Sequence, residues 1–169
     1  MSSYLSRNCD CCFSHCCPIP GPGITPVYGQ VFLDVGQDVL PNTDVIFNNS
    51  GVLNGIVFAP PSSSVFLPQG DYAIDFQANV FRDNDEYAFG IVLNNVLPAL
   101  PQSRFGERTT LVNVERLIIE YISGSTIVRI PLGGAMISLR NIGTAVAMLR
   151  TTLNTTNVNA ASLRIIKIG

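Results

Sequence analysis

The chain of 169 residues has the length of one domain with a tail, and it carries 13% charged and 47% apolar residues at a net charge of −2. Its nine arginines and single lysine, Lys167, are scattered and give no basic footprint for nucleic acid. No run reaches the roughly 18 apolar residues of a membrane span, and the N-terminus lacks the apolar core of a secretory signal.

The charged fraction is about half of the roughly 25% usual in soluble domains. Asn, Ser and Thr are therefore expected over much of the surface, with part of it covered by other subunits.

Residues 1–17 hold every cysteine: Cys9, Cys11, Cys12, Cys16 and Cys17, with His15 before the last pair. The segment has few large apolar residues and no strand alternation, so it reads as an attachment arm rather than a core. Five is an odd number, and adjacent cysteines such as Cys11 and Cys12 pair poorly with each other. At least one thiol is thereby a candidate for an intermolecular disulfide. Zinc binding competes with that reading, but the paired C-x-x-C knuckles of a specific site are missing; inert or acylated thiols are the third possibility. The arm is followed by a connector over residues 18–26, in which Pro18, Pro20, Gly21, Pro22, Gly23 and Pro26 favour an extended backbone. Glycines at 21 and 23 break the three-residue period of a collagen helix. In a polyproline-like state the nine residues would span about 28 Å at roughly 3.1 Å each.

From residue 27 to residue 169 the pattern is one of strands and turns. Expected strands cover 27–33, 42–48 after a turn at Pro41-Asn42, and 55–58 before Pro60-Pro61. Residues 64–67 and 71–81 follow, joined through Pro68, Gln69 and Gly70, and the simplest reading is a central hairpin. In the second of these strands Tyr72, Ile74, Phe76, Ala78 and Val80 occupy one face, and Asp71, Asp75, Gln77 and Asn79 the other. After a turn at 82–85, the segment 86–94 puts Tyr87, Phe89, Ile91 and Leu93 on one face, as the antiparallel partner of 71–81. Residues 95–105 read as a surface loop. A long strand over 109–122 changes phase near 115–117, which suggests a bulge. Strands at 126–130, 136–142, 145–149 and 163–168 complete the set, with a polar loop at 151–161. Without helical periodicity anywhere, this order describes an all-β, two-sheet antiparallel sandwich or jelly roll.

Gly70, Tyr72, Ile74 and Phe76 form a Gly-x-Tyr-x-apolar-x-aromatic strand motif that resembles the globular heads of complement and tumour-necrosis-factor proteins. Within that superfamily the chain is most similar to the C-terminal heads of the Bacillus collagen-like spore proteins, the BclA family. That likeness extends to residues 45–51, 135–141 and 162–168, and covers most of 28–169. One departure is that the family's Phe six positions before the glycine is Ser64 here, with Phe66 four before, so a shortened corner is expected. The resemblance implies a homotrimeric jelly roll with neighbouring chain termini and a role on the bacterial spore surface, in the exosporium or a spore appendage. Trimers would be joined through their arms head to tail, or anchored to a spore-coat or exosporium protein. The rival reading is an adhesin whose loops at 95–105 and 151–161 bind a glycan or receptor.

No catalytic site, cofactor site or metal site is expected. His15, the one histidine, lies outside the strand region, so a Ser-His-Asp or Cys-His arrangement would have to reach into the arm. Asp83, Asp85 and Glu86 share a turn but lack the downstream bidentate glutamate of a calcium loop. Asp71 and Asp75 alternate on a strand's outer face, as ordinary polar positions do.

Overall fold

The computed structural model describes residues 26–81, 86–96, 98–108, 119–153 and 156–169. The arm cysteines Cys9, Cys11, Cys12, Cys16 and Cys17, the connector residues Pro18, Pro20, Gly21, Pro22 and Gly23, the 82–85 turn and the phase change near 115–117 lie outside the described residues.

Among the described residues there are thirteen strands in an all-β sandwich. In chain order they are β1 (Tyr28–Leu33), β2 (Gln37–Val39), β3 (Asn49–Asn54), β4 (Val65–Leu67), β5 (Gly70–Phe81), β6 (Glu86–Leu93) and β7 (Phe105–Arg108), then β8 (Ile119–Ile130), β9 (Ala135–Asn141), β10 (Ala147–Leu149), β11 (Thr152–Leu153), β12 (Thr156–Asn157) and β13 (Ala161–Lys167). The larger sheet places β8, β5, β13, β1 and β3 side by side; β10 takes over the β13 edge of β5 at Val80 and continues to β2. The smaller sheet runs β4-β9-β6-β7, and every pairing is antiparallel.

Alternation along the strands creates the core between the sheets. Tyr72, Ile74, Phe76, Ala78 and Val80 are all buried, as their shared face requires, and they meet Val65, Leu67, Phe89, Ile91, Ile137 and Leu139 from the smaller sheet. The Tyr72 hydroxyl donates to the Pro68 carbonyl at 2.9 Å, so its polar end is satisfied inside the sandwich.

Several pairings differ from the sequence expectation. Residues 64–67 and 71–81 do not form a hairpin: β4 pairs with β9 in the smaller sheet, while β5 pairs with β8 and β13 in the larger one. Only Pro68 and Gln69 separate the two strands, so the short corner carries the chain from sheet to sheet. Gly70 begins β5 with φ 151°, and a Cβ there would stand 2.3 Å from Lys167 Cε, which is why glycine fits the corner. Likewise β6 is not the ladder partner of β5. Its inward face is correct, with Tyr87, Phe89 and Ile91 buried, but that face meets β5 across the core rather than along an edge. Period-two alternation specifies which face is buried and is silent about which strand lies alongside.

The 42–48 segment, expected as a strand, buries Val45 and Phe47 but carries only isolated bridges, Asp44 to Arg140 and Phe47 to Ser62. The strand lies instead at β3, whose Asn, Ser and Gly content hides it, and the 55–58 segment keeps one bridge, Val57 to Phe66. The expected break before residue 126 is absent: β8 runs through Ser123, Gly124 and Ser125 without a turn. Gly124 is there because the edge-to-face pair of Phe76 and Phe105, with ring centroids 5.9 Å apart, occupies the space of its side chain. The 95–105 loop contains a 3-10 turn, Pro101–Ser103, and buries Ala99 and Ser103; the Ser103 hydroxyl accepts the Ile91 N–H at 2.8 Å. The 151–161 loop contains the β11–β12 ribbon.

A Cβ at position 124 would lie 2.2 Å from Phe105 Cδ2 and 2.6 Å from Phe76 Cε1. Gly124→Ala is expected to cost about 1–3 kcal/mol, read as a lowered denaturation midpoint at fixed protein concentration. Adding Phe105→Leu should restore part of the loss. Additive single and double variants would show that the ring contact is not the cause.

Candidate assembly surface

The outward face of the larger sheet is banded. Since β8, β5, β13 and β1 pair in continuous register, their outward side chains form rows across the sheet. One row reads Ile127, Ala73, Ile166, Tyr28, and Val52 of β3 stands beside it. Ile127 is 64% exposed, Val52 72%, Tyr28 42% and Ile166 37%. Tyr28, Val52, Arg164 and Ile166 border a depression of about 460 Å³. Positions of this kind in a lone sandwich ordinarily carry polar residues.

The next row is polar: Ser125, Asp75, Arg164, Gln30. Asp75 accepts a hydrogen bond from the Ser125 hydroxyl at 2.6 Å. Arg164 lies opposite Asp75 in the ladder but makes no ion pair among the described residues. With Gln77, Ser123 and Ser162 of the following row, these side chains line a depression of about 610 Å³. Below the apolar row Asp71 is bidentate to Arg129, at 2.7 and 2.9 Å. The outward face thus has an apolar band held between polar rows, with Arg164 beside Asp75 and in no ion pair among the described residues.

The start of β1 and the end of β13 lie together on this face. The Val27 carbonyl accepts the Lys167 N–H at 2.8 Å, and the exposed Pro26 carbonyl accepts from Asn54 Nδ2 at 2.6 Å. Pro26, the one connector residue that is described, therefore sits beside the end of β13. Of the motif residues, Tyr72, Ile74 and Phe76 point inward and Gly70 makes the corner, so the motif serves the core and not this surface. The surface residues Tyr28, Ile127, Arg164 and Ile166 went unrecognised in the sequence. Their signal was an apolar residue at an outward position of the alternation, legible only once the buried parity of each strand is known.

Comparison with solved structures shows the same architecture elsewhere. The globular domain of a zebrafish complement 1qA protein matches 85% of this chain and 98% of its own, with a TM-score of 0.61 at 11% identity. Murine APRIL matches 85% of this chain and 99% of its own, with a TM-score of 0.61 at 9% identity. The Eiger TNF of S. frugiperda matches 86% and 94%, with a TM-score of 0.59 at 9% identity. The fold is the complement-head and tumour-necrosis-factor jelly roll. No family model matches the sequence, and no curated protein does. Among the described residues no group of three or more His, Cys, Asp or Glu could hold a metal ion, and no helix is long and apolar enough to cross a membrane.

The Arg129 guanidinium, through its hydrogen bonds, holds the Asp71 carboxyl below its ordinary 3.8. A carboxyl whose folded pKa is depressed contributes its stabilisation above the unfolded value and loses it as pH falls through the folded one. Asp71→Asn should therefore lose less stability than the parent as pH falls below the carboxyl's ordinary 3.8, by a small margin because the pair lies in water. Identical acid unfolding curves would assign the acid limb to other groups.

Proposed function

We propose that this protein is a structural, non-enzymatic subunit of the bacterial spore surface, assembling as a homotrimer through the outward face of the larger sheet. The observation that carries the assembly is the row of Ile127, Ala73, Ile166 and Tyr28, of which Ile127, Ile166 and Tyr28 are exposed, beside Arg164, which makes no ion pair among the described residues. Burying the row in a subunit contact removes apolar area from water, at about 25 cal/mol per Å². Closed cyclic symmetry would do so for every subunit at once. The same contact can bring Arg164 near a carboxylate such as Asp75 of a neighbouring subunit.

Support for the spore surface comes from the likeness of residues 45–51, 70–76, 135–141 and 162–168 to the BclA-family heads. The five-cysteine arm supports a role in attachment. Chain entry beside β13 gathers three arms at one pole of the proposed trimer, and a pole unlike its opposite favours propagation along an axis. Trimers are joined head to tail, or anchored to a coat or exosporium protein, and oxidised cysteines lock the joint.

Reduced full-length protein should scatter light as a particle of about 55 kDa, three times the 18.2 kDa chain. Ile127→Asp with Ile166→Asp should give a folded monomer with unchanged far-ultraviolet circular dichroism. In oxidising buffer, non-reducing electrophoresis should show a ladder that disappears when all five cysteines are replaced by Ser, with the trimer intact. A stable parental monomer defeats the assembly reading, and a ladder that survives the cysteine replacements defeats the disulfide reading.

A further inference from the structure

On the opposite side of the sandwich, the outward face of β9 floors a cleft of about 680 Å³. Met136, Ser138 and Arg140 form its floor, the 43–46 segment and Ser63-Ser64 one wall, and the Asn94-Asn95 turn the other. This turn has left-handed φ values of 49° and 59°, which asparagine tolerates better than other side-chain-bearing residues. Asn94 clips it to β9 by accepting the Met136 N–H through Oδ1 at 2.9 Å.

At the bottom of the cleft lies a charge that is already neutralised. Arg140 is 5% exposed, and its guanidinium donates from Nε and Nη2 to the two Asp44 oxygens at 2.5 and 3.0 Å. A further bond runs from Nη2 to Asn95 Oδ1 at 2.5 Å. Since a guanidinium only donates, the Asn95 carbonyl must face it, and the Asn95 amide N–H groups are left for the cleft. The two N–H groups on Nη1 are used by neither Asp44 nor Asn95. Around this core stand the hydroxyls of Thr43, Ser63, Ser64 and Ser138, each both donor and acceptor. Met136, 39% exposed, and Ile46, 46% exposed, add two apolar patches.

We propose that this cleft is a binding site for a neutral saccharide. An ion gains little from a charge pair that is already closed, which disfavours both anions and cations. Vicinal hydroxyls can instead accept from guanidinium and amide N–H groups while donating to carboxylate and serine oxygens, as sugars require. The Met136 and Ile46 side chains suit the C–H face of a pyranose ring. With no aromatic ring in the lining and an open mouth, affinity is expected at about the millimolar level. The site lies on the smaller sheet and is independent of the assembly surface.

The test is saturation-transfer difference NMR on the full-length protein, a ligand-observed method that tolerates assemblies of any size. The probes are maltose, N,N′-diacetylchitobiose and rhamnose, with glucuronate and glucosamine as charged comparators. At least one neutral probe should receive saturation on its ring C–H protons and titrate at about the millimolar level. Asn95→Asp preserves the acceptor for Arg140 but removes the amide donors, and should weaken binding by about tenfold or more. Ser63→Trp plugs the rim and should abolish it. Both variants keep Arg140 and Asp44 in place; because residue 95 shares Arg140 Nη2 with Asp44, unchanged far-ultraviolet circular dichroism and thermal midpoint are required of each variant before its binding is compared. Absence of transfer to every neutral probe at about 10 mM, transfer to charged probes only, or transfer unaltered in both variants would overturn the proposal.

Discussion

Double-sided pairing of β5 is the constraint on which the rest of the head depends. Twelve residues long, it is bonded along one edge to β8 over its whole length and along the other to β13 and then β10. Non-local ladders of this kind cost chain entropy before they return anything, so the strand must bring its own driving force. Its inward face supplies it, burying Tyr72, Ile74, Phe76, Ala78 and Val80 together. Once β5 lies between β8 and β13, their order leaves β1 and β3 as the next strands outward, and the start of β1 comes beside the end of β13. The rows on the outward face follow from the same register: a one-residue slip of β13 against β5 would turn Leu163 and Ile165 outward and Arg164 and Ile166 into the core.

This explains which features were legible beforehand. The face of β5 was readable because Tyr72 to Val80 alternate strongly with polar residues, and that of β6 because its large side chains Tyr87, Phe89 and Ile91 recur at every second position and are buried. The neighbours of these strands were not, because a hairpin and a crossing between sheets share the same local signal, apolar run, turn and apolar run. Pro68 and Gly70 mark a corner in either case. The edge strand β3 was invisible for a different reason: Asn49, Ser50 and Gly51 contribute little to the core, and the strand is held by its backbone pairing with β1. Gly124 misled in the opposite direction. It resembles a turn residue, yet its role is to make room for Phe76 and Phe105. As for the assembly surface, low charge indicated that apolar area would need covering but could not locate it, since location requires the pairing order.

Charge placement separates the two outer faces. Asp44 and Arg140 are spent inside the smaller sheet's cleft, where the pair pins the 43–45 backbone to β9 alongside the Val45 to Leu139 and Asn141 to Thr43 hydrogen bonds. Removing one member would leave the other buried and uncompensated, a loss of about 3–5 kcal/mol. Arg129 and Arg150 are satisfied at the surface by Asp71 and Asp38. Arg164, in the middle of the larger sheet, lacks such a partner among the described residues. In a protein with so few charges, Arg164 and Asp75 stand side by side on a partly apolar face with no ion pair between them, and the proposed subunit contact would give each a partner of opposite charge.

The two proposed surfaces lie back to back. A contact through the larger sheet encloses the rows of Ile127 and Asp75 and leaves the outward face of β9 turned away from the shared axis, so assembly and ligand binding do not compete for area. They also differ in what they ask of the chain. The assembly face needs apolar area and a register held by β5, so it depends on the core; the cleft needs only β9, the Asn94-Asn95 turn and the 43–46 segment to remain docked. Substitutions at Asn95 or Ser63 can therefore alter ligand recognition without reaching the ladder that supports the head. Each assembled head would then present its cleft outward in several copies, and even a weak saccharide contact gains avidity when repeated at the spacing of a multimer.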